Sequence, residues 1–211
     1  DDGKVENSRR LGPCVISNEL AAHVIELKAV SPFTDFEAQH LLFTQTLAEI
    51  DKRLSRCDSM LVPSGMHPTM DPRKDGELWR HEDHEIYETY NRIFDCNRHG
   101  WLNLQSCHLN ISFGDEAEFL QLHNAIILLL PVLPAICAST PFQEGRISGL
   151  IDTRLEHYQY NQKRFPAIAG SIIPEVVGSI AEYRERIHQP AFAQIAPFDV
   201  DGTLQDEWLN S

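Results

Sequence analysis

Residues 101–113 read WLNLQSCHLNISF, and this run indicates a β-strand more strongly than any other part of the sequence. Apolar and polar residues alternate along it, and successive side chains of a strand point to opposite faces. Four apolar residues would share one face and four polar residues the other: Cys107, Leu109, Ile111 and Phe113, against Ser106, His108, Asn110 and Ser112. The pattern predicts a strand that packs on one side and presents polar groups on the other.

On the polar face of this predicted strand, His108 and Asn110 project together because they are two residues apart. An imidazole beside an amide suits a divalent cation, a nucleotide or a substrate amide. A polar strand face that is simply turned to solvent would show the same pattern. The spacing alone leaves both interpretations open.

Upstream, the runs CVI at 14–16 and HVIEL at 23–27 predict further strands. Glu26 lies in the second run, between the apolar residues Ile25 and Leu27. A carboxylate in such a place is costly unless it is exposed, paired with a cation or bound to a metal. Glu26 is therefore a candidate metal ligand, and an exposed strand face is the competing interpretation.

Several segments with helical periodicity lie between the strand-like runs. Thr34 or Asp35 is expected to begin a helix that ends near Leu54, and Asp115 to begin an apolar helix that ends near Leu133. Other predicted elements are helices at 84–95, 151–163 and 177–188, a short strand at 60–62, a loop at 139–149 and a loose segment at 1–12. The mixture lacks regular βαβ units, so the predicted class is α+β.

Downstream, residues 139–154 read STPFQEGRISGLIDTR and contain two arginines among turn-forming residues. Arg146 and Arg154 offer forked donors for a carboxylate or a phosphate. In an acidic chain, an arginine beside a glycine-rich turn is a candidate anion site. An ordinary surface arginine is the alternative for each.

The composition excludes some classes of function. The chain has 211 residues and a net charge of −13, which argues against a sequence-independent nucleic-acid binder, since such proteins need a basic surface. Five cysteines without a Cys-x-x-Cys pair predict reduced thiols and a cytoplasmic location. The longest apolar run, 125–138, is shorter than a bilayer requires and contains two prolines, so no membrane association is predicted.

Common catalytic motifs are absent from the sequence. The run His81-Glu82-Asp83-His84-Glu85 does not match H-E-x-x-H, because Glu85 stands where the second histidine should be. It is therefore interpreted as the acidic first turn of a helix. A zinc hydrolase is the least favoured of three functional hypotheses. Neither a Walker-type loop nor a G-x-G-x-x-G turn occurs.

At the motifs above, the sequence resembles a known family. The runs NLQSCHLNISF and LPVLPAICASTPFQEGRISGLIDTRLEHY are similar to segments of the glutamate–cysteine ligase family 2, and SNELAAHVIELK and GMHPTMDP match its upstream segments in the same order. The resemblance extends from about Asn18 to the C-terminus. Several ordered motifs make it more specific than any one of them.

The resemblance implies a curved antiparallel sheet of the glutamine synthetase type, with helices on its outer face. It implies an ATP- and Mg²⁺-dependent ligase of glutathione biosynthesis, which joins an amino-acid carboxylate to an amine through an acyl phosphate. Glu26 and His108 fall on metal positions, with His108 and Asn110 also on nucleotide positions. Arg154 falls on an arginine that would hold the carboxylate or the transferred phosphate, and Arg146 is added as a nucleotide-binding candidate. His67, in Gly-x-His-Pro, matches a motif residue without an assigned role.

The sequence also departs from the family pattern. No Gly-x-Glu-x-Glu strand precedes Cys14, the strand G-T-[IL]-E-x-R is missing, and the usual A-N-S-P turn reads Ala138-Ser139-Thr140-Pro141. The expectation is a single ligase-like catalytic domain at 13–211 that is incomplete at both ends and binds Mg²⁺–ATP weakly by itself.

The leading hypothesis is a carboxylate–amine ligase of the glutamate–cysteine type, which acts on small amino-acid substrates. The rival is a non-catalytic fragment or degenerate binding module that keeps the fold without a complete metal site. The oligomeric state stays open, since the apolar helix predicted after Asp115 suits either a core or an interface in a homo-oligomer.

Overall fold

The computed structural model of the protein describes residues 5–161, 163–169 and 175–198. It contains two small antiparallel sheets among short and medium-length helices, which confirms the α+β class. The strands are β1 Ser8–Leu11, β2 Cys14–Asn18, β3 Ile25–Ala29, β4 Phe142–Gln143 and β5 Arg146–Ile147. The helices are α1 Phe36–Leu54, α2 Pro72–Asp75, α3 His84–Phe94, α4 Glu116–Leu129, α5 Leu133–Cys137, α6 Thr153–Asn161, α7 Pro166–Ala169, α8 Ile180–Tyr183 and α9 Gln189–Ile195. A π-helical turn, Arg184–His188, joins α8 to α9.

The first sheet is an antiparallel meander in the order β1–β2–β3. Leu11 is paired with Cys14 across a tight turn, in which Gly12 has a φ of +60°. The strands predicted around 14–16 and 23–27 are confirmed with shifted bounds. The prediction of a loose segment at 1–12 is wrong for residues 8–11, because their backbone pairs with β2 although three of their four side chains are polar and exposed.

Local capping signals define the helices well. Asp35 accepts a hydrogen bond from the Ala38 amide at 2.9 Å and so begins α1, and Asp115 accepts one from the Glu118 amide at 2.9 Å and begins α4. Helix α4 ends at Leu129, earlier than expected, and α5 begins at Leu133 after a break that contains Pro131. A proline lacks the amide that would continue the helix.

A buried hydrophobic cluster packs the end of α3 against Phe165 and helix α9. Ile93, Phe94, Cys96, Phe165 and Ile195 are all buried there. The Phe94 ring meets the Phe165 ring edge-on at a centroid distance of 5.3 Å. This packing fixes the turn that follows α3, and that turn leads into residues 101–113.

The prediction of a strand at 101–113 is wrong. Leu102 and Asn103 are adjacent and both fully buried, so the segment begins in a turn without strand-like alternation. Further along, Leu109 is 60% exposed and Ile111 is 50% exposed. A strand needs a neighbouring backbone to pair with, and none pairs with residues 106–113 within the described part of the chain.

Two smaller predictions also fail. Residues 60–62 form no strand, because the Leu61 amide donates instead to the Asp51 side chain of α1 at 3.1 Å. The predicted loop at 139–149 contains the hairpin β4–β5, in which Gln143 is paired with Arg146. Glu144 and Gly145 connect these strands with φ values of 49° and 76°, the positive values that a two-residue hairpin turn of this kind requires.

All five cysteines lie in the described ranges, and each thiol is free. None of the helices in those ranges combines the length and the apolar composition needed to cross a bilayer.

Candidate functional site

Four segments that carry the sequence motifs are hydrogen-bonded to one another. They are residues 64–68, 102–105, 137–141 and 143–154, and we call the place where they meet the motif junction. The Gln105 amide donates to the Gly65 carbonyl oxygen at 2.9 Å, and the Gly145 amide donates to the Pro68 carbonyl oxygen at 2.9 Å. The Ser64 hydroxyl donates to the Ser139 carbonyl oxygen at 3.2 Å. Hydrogen bonds to backbone carbonyl oxygens therefore connect segments that are far apart in the sequence.

Arg154 lies at the centre of the motif junction, at the start of α6. Its Nη1 donates to the Gln105 carbonyl oxygen at 2.9 Å, and its Nη2 donates to the Cys137 carbonyl oxygen at 3.2 Å. Its Nε donates to Asp152 Oδ1 at 3.2 Å. All three guanidinium nitrogens thus donate hydrogen bonds within the protein and connect the start of α6 to two other segments. The sequence alone does not predict this structural role.

The backbone at Gly65 passes directly against this guanidinium. A Cβ atom at position 65 would lie 2.6 Å from Arg154 Nη1 and 2.9 Å from its Cζ. Atoms do not approach that closely without a shift, and Arg154 is held by three acceptors. The glycine of Gly-x-His-Pro is therefore required here for close approach.

Thr140 links the turn at 138–141 to the beginning of α6. It is 1% exposed, and its hydroxyl donates to Asp152 Oδ1 at 2.9 Å and accepts from the Arg154 amide at 3.1 Å. The A-N-S-P turn of the family has a serine at this place. Threonine keeps the hydroxyl, so the departure noted in the sequence preserves a capping group.

Asn103 holds the backbone of His67. Its Oδ1 accepts from the His67 amide at 2.6 Å, and its Nδ2 donates to the His67 carbonyl oxygen at 3.1 Å. The His67 ring faces His23 edge-on at a centroid distance of 6.4 Å. Burial, with His67 as the smaller contribution, lowers the pKa of His23 below its ordinary value of 6.5.

A pair of stacked histidines borders the motif junction. The rings of His99 and His157 lie 4.9 Å apart between centroids, at an interplanar angle of 27°. His99 Nε2 lies 3.0 Å from Glu144 Oε1, and His157 Nε2 lies 2.8 Å from Gln143 Oε1. The hydrogen bond with His99 lowers the pKa of Glu144, and burial lowers the pKa of His157.

An open cavity of about 390 Å³ is lined by residues of the β4–β5 hairpin and α6. Its lining is polar and consists of Gln143, Glu144, Arg146, Ser148, Thr153 and Glu156. Arg146, which the sequence marks as an anion-binding candidate, is exposed here. The cavity combines one cation with two carboxylates, an arrangement that can contact the carboxylate and the ammonium group of an amino acid.

Comparisons with known proteins identify the family to which these motifs belong. The family model described as "Glutamate-cysteine ligase family 2 (GCS2)" matches residues 2–193. The chain belongs to the glutamate–cysteine ligase family 2. The match includes all four segments of the motif junction.

Individual relatives are similar over part of their length. An uncharacterised protein of Archaeoglobus fulgidus is 42% identical over 184 residues, which is 86% of this chain and 49% of the relative. "Putative glutamate–cysteine ligase 2-1" of Rubrobacter xylanophilus is 23% identical over 68% of this chain and 37% of its own length. "Putative glutamate–cysteine ligase 2" of Sorangium cellulosum is 33% identical over 50% of this chain and 26% of its own length. The chain thus spans half or less of the length of each, and no solved structure matches it.

Some of the residues predicted for a glutamate–cysteine ligase site lie in or beside the motif junction, and the others lie elsewhere. Arg154 and His67 lie in the motif junction, and Arg146 lies on the adjacent cavity. His108 and Asn110 are exposed in the irregular segment after Gln105. Glu26 lies on β3, where Lys28 Nζ is 2.7 Å from its Oε2 and the Ser17 hydroxyl donates to it at 3.3 Å.

The sequence did not mark Asn103, Glu144 and Asp152 in the motif junction, or His99 beside it. Only the Glu144-Gly145 pair carried a local signal, as a candidate tight turn. Asn103 had none, because its partner His67 is 36 residues away and no periodicity relates the two.

Proposed function

We propose that the intact protein is an ATP-dependent carboxylate–amine ligase of the glutamate–cysteine type. The observation that carries the proposal is the hydrogen-bonded meeting of four family segments at the motif junction. The family match over residues 2–193 supports it. Within the same proposal, β1–β3 belong to a curved sheet of the glutamine synthetase type.

The proposed reaction has two steps. A carboxylate oxygen of an amino acid, glutamate or one like it, attacks the γ-phosphorus of ATP, and ADP leaves. The amine, cysteine or one like it, then attacks the acyl carbon, and phosphate leaves with that carboxylate oxygen while the nitrogen loses a proton. Arg146 is proposed to orient an anionic group, because this arginine is one of the residues that line the open cavity.

The described residues do not by themselves fit a magnesium ion. Mg²⁺ prefers several oxygen ligands in octahedral geometry, whereas the Glu26 carboxylate is paired with Lys28. No group of three or more carboxylate, imidazole or thiol side chains converges anywhere in 5–161, 163–169 and 175–198. The proposed roles of Glu26 and His108 as metal ligands, and of His108 and Asn110 at the nucleotide, therefore concern the intact protein.

Arg154 is proposed to affect the substrate mainly through its charge, because the protein's own acceptors already occupy its guanidinium. Its guanidinium nitrogens already donate to Asp152 and to two carbonyl oxygens. A bound carboxylate or phosphate would have to share these donors. Its proposed contribution is a fixed positive charge behind the ligand.

The proposal is tested by release of ADP from the full-length gene product. We expect continuous formation of ADP when Mg²⁺, ATP, an amino acid and an amine acceptor are all present. No ADP should form without the acid, and without the amine ADP formation should stop at about one equivalent per protein, because only the first step can then occur. ADP formation independent of both would contradict a ligase.

The proposed site residues are tested by substitution in the same assay. Glu26→Gln and His108→Ala variants that stay folded should lose activity by on the order of a hundredfold. Glu37→Gln and His40→Ala are the matched controls, since both residues are exposed on α1. Unchanged turnover in the first pair would refute the roles assigned to them.

The second candidate is a non-catalytic binding module. The Glu26–Lys28 ion pair and the lack of a converging ligand group in the described ranges favour it. Such a module would bind an amino acid in a calorimetric titration of the full-length protein without forming ADP. A ligase would both bind the amino acid and form ADP.

A further inference from the structure

Hydrogen bonds connect His67 and the β4–β5 turn into a closed ring at the motif junction. Asn103 contacts both the His67 backbone and His99, His99 contacts Glu144, and the Gly145 amide donates to the Pro68 carbonyl oxygen. Covalent bonds between neighbouring residues complete the ring. We propose that Asn103 is a positioning residue that fixes the Gly-x-His-Pro segment and, through His99, the turn that presents Arg146.

The orientation of the Asn103 amide follows from its partners. The His67 amide can only donate, so the oxygen of Asn103 must face it at 2.6 Å. The nitrogen of Asn103 then faces the His67 carbonyl oxygen at 3.1 Å. Rotating the amide by half a turn would place donor against donor and acceptor against acceptor, and Asn103 is fully buried, so water could not compensate.

This orientation also determines the tautomer of His99. The second hydrogen of Asn103 Nδ2 points at His99 Nδ1, 3.2 Å away, so Nδ1 must accept. In the neutral ring the proton is then on Nε2, which donates to Glu144 Oε1 at 3.0 Å. The lowered pKa of Glu144 is consistent with an ionised acceptor at this position.

The ring constrains His67 of the Gly-x-His-Pro motif and Arg146, which the proposed ligase would use to orient an anionic group. Asn103 is hydrogen-bonded to both the amide and the carbonyl oxygen of His67. The next residue, Pro68, accepts a hydrogen bond from the Gly145 amide of the hairpin. His157 stacks on His99 and keeps its plane fixed. Because Glu144 precedes Gly145 and Arg146 in the turn, a shift of Asn103 would displace both His67 and Arg146. The functional part of this inference rests on the proposed ligase activity.

The structural part is tested by nitrogen NMR of the histidine side chains in the full-length protein. In the wild type we expect His99 Nδ1 to show the shift of an unprotonated acceptor and Nε2 to carry the proton. Asn103→Asp retains an acceptor for the His67 amide and removes the donor to His99. We therefore expect a proton on Nδ1 and faster hydrogen exchange at the Gly145 amide.

Asn91→Asp is the matched control. Asn91 is half-buried, and its Oδ1 likewise accepts from a backbone amide, that of Cys96, at 2.8 Å. This variant should leave the His99 signals unchanged. A proton on Nδ1 in the wild type, or an unchanged tautomer in a folded Asn103→Asp variant, would overturn the inference. The wild-type spectrum by itself tests the tautomer of His99, even if the variant does not fold.

The functional part is tested by kinetics of the same variants. Displacement of positioned groups should lower kcat/KM by on the order of tenfold to a hundredfold in Asn103→Asp, and leave it unchanged in Asn91→Asp. Unchanged kcat/KM in Asn103→Asp would overturn the positioning role. Lack of ligase activity in the wild type would refute the proposed function alone, since the NMR result does not depend on turnover.

Discussion

At the scale of single residues, Arg154 shows how one side chain joins distant segments. Its guanidinium reaches a carbonyl oxygen 49 residues away at Gln105 and another 17 residues away at Cys137. Asp152, which is 14% exposed at its side chain, supplies the charge partner. Hydrogen bonds that involve a charged group are stronger than neutral ones, so Arg154 contributes to stability whatever it does in catalysis.

Replacement of Arg154 should destabilise the protein without any ligand present. Arg154→Gln leaves a largely buried Asp152 carboxylate without its cation and two carbonyl oxygens without donors. We expect the free energy of unfolding to fall by about 2–4 kcal/mol, measured by urea denaturation. Arg53→Gln is the control, because it removes an arginine from an exposed pair with Glu49 on α1. Equal losses in the two variants would contradict the role assigned to Arg154.

The sequence predicted a catalytic role for Arg154, which stays a prediction, and it did not predict the structural partners of this side chain. The resemblance marked the position, since the motif that ends in Arg154 is local. The contacts with Gln105 and Cys137 depend on chain folding over long distances, which no local pattern encodes. Asn103 was missed for the same reason. A buried amide is recognisable only once its backbone partners are known.

At the scale of elements, helix starts were predicted best because their signals are short-range. Asp115 accepts from the Glu118 amide, and the Glu118 carboxylate accepts from the Gly114 amide at 2.6 Å, which together resemble a capping box. Both partners lie within four residues. A strand, in contrast, needs a partner that the local sequence does not contain, and the alternation at 101–113 therefore predicted the wrong structure.

The cap of α4 provides a prediction at this scale. Asp115→Ala removes the acceptor for the Glu118 amide and should lower the free energy of unfolding by about 1 kcal/mol. Asp115→Asn keeps an acceptor of similar capping strength and should remain close to the wild type. Thermal or urea unfolding of the two variants measures the difference. Identical stabilities would show that the cap does not contribute.

At the scale of the whole molecule, the stability should depend on pH through the half-buried histidine His157. Burial lowers the pKa of His157 below its ordinary value of 6.5, so the unfolded chain takes up this proton at a higher pH than the folded protein does. Between the two values the unfolded state binds more protons, and stability therefore decreases as the pH falls below about 6.5.

The expected result is a smaller pH dependence in a His157→Gln variant. Urea unfolding from about pH 7.5 to about pH 5.5 should show a smaller loss of stability in this variant than in the wild type. His23, whose pKa is also lowered mainly by burial, retains part of the dependence. An identical fall in both proteins would contradict the assignment to His157.

The family and the motif order could be predicted from the sequence, and the matched residues 2–193 confirm the family. The surroundings of Glu26 and His108 could not be predicted, since Glu26 pairs with Lys28 and His108 lies exposed in an irregular segment. Their roles as metal ligands are therefore proposals for the intact protein. The chain spans 49% of the length of its Archaeoglobus fulgidus relative, and the activity is accordingly proposed for the intact protein.

The most direct test of the proposed ligase follows one oxygen atom. The full-length protein is given Mg²⁺, ATP, the amine and an amino acid whose reacting carboxylate carries oxygen-18, and the released phosphate is analysed by mass spectrometry. An acyl phosphate predicts that the phosphate contains one labelled oxygen from the carboxylate. Unlabelled phosphate, formed while the amide product accumulates, would contradict the proposed mechanism.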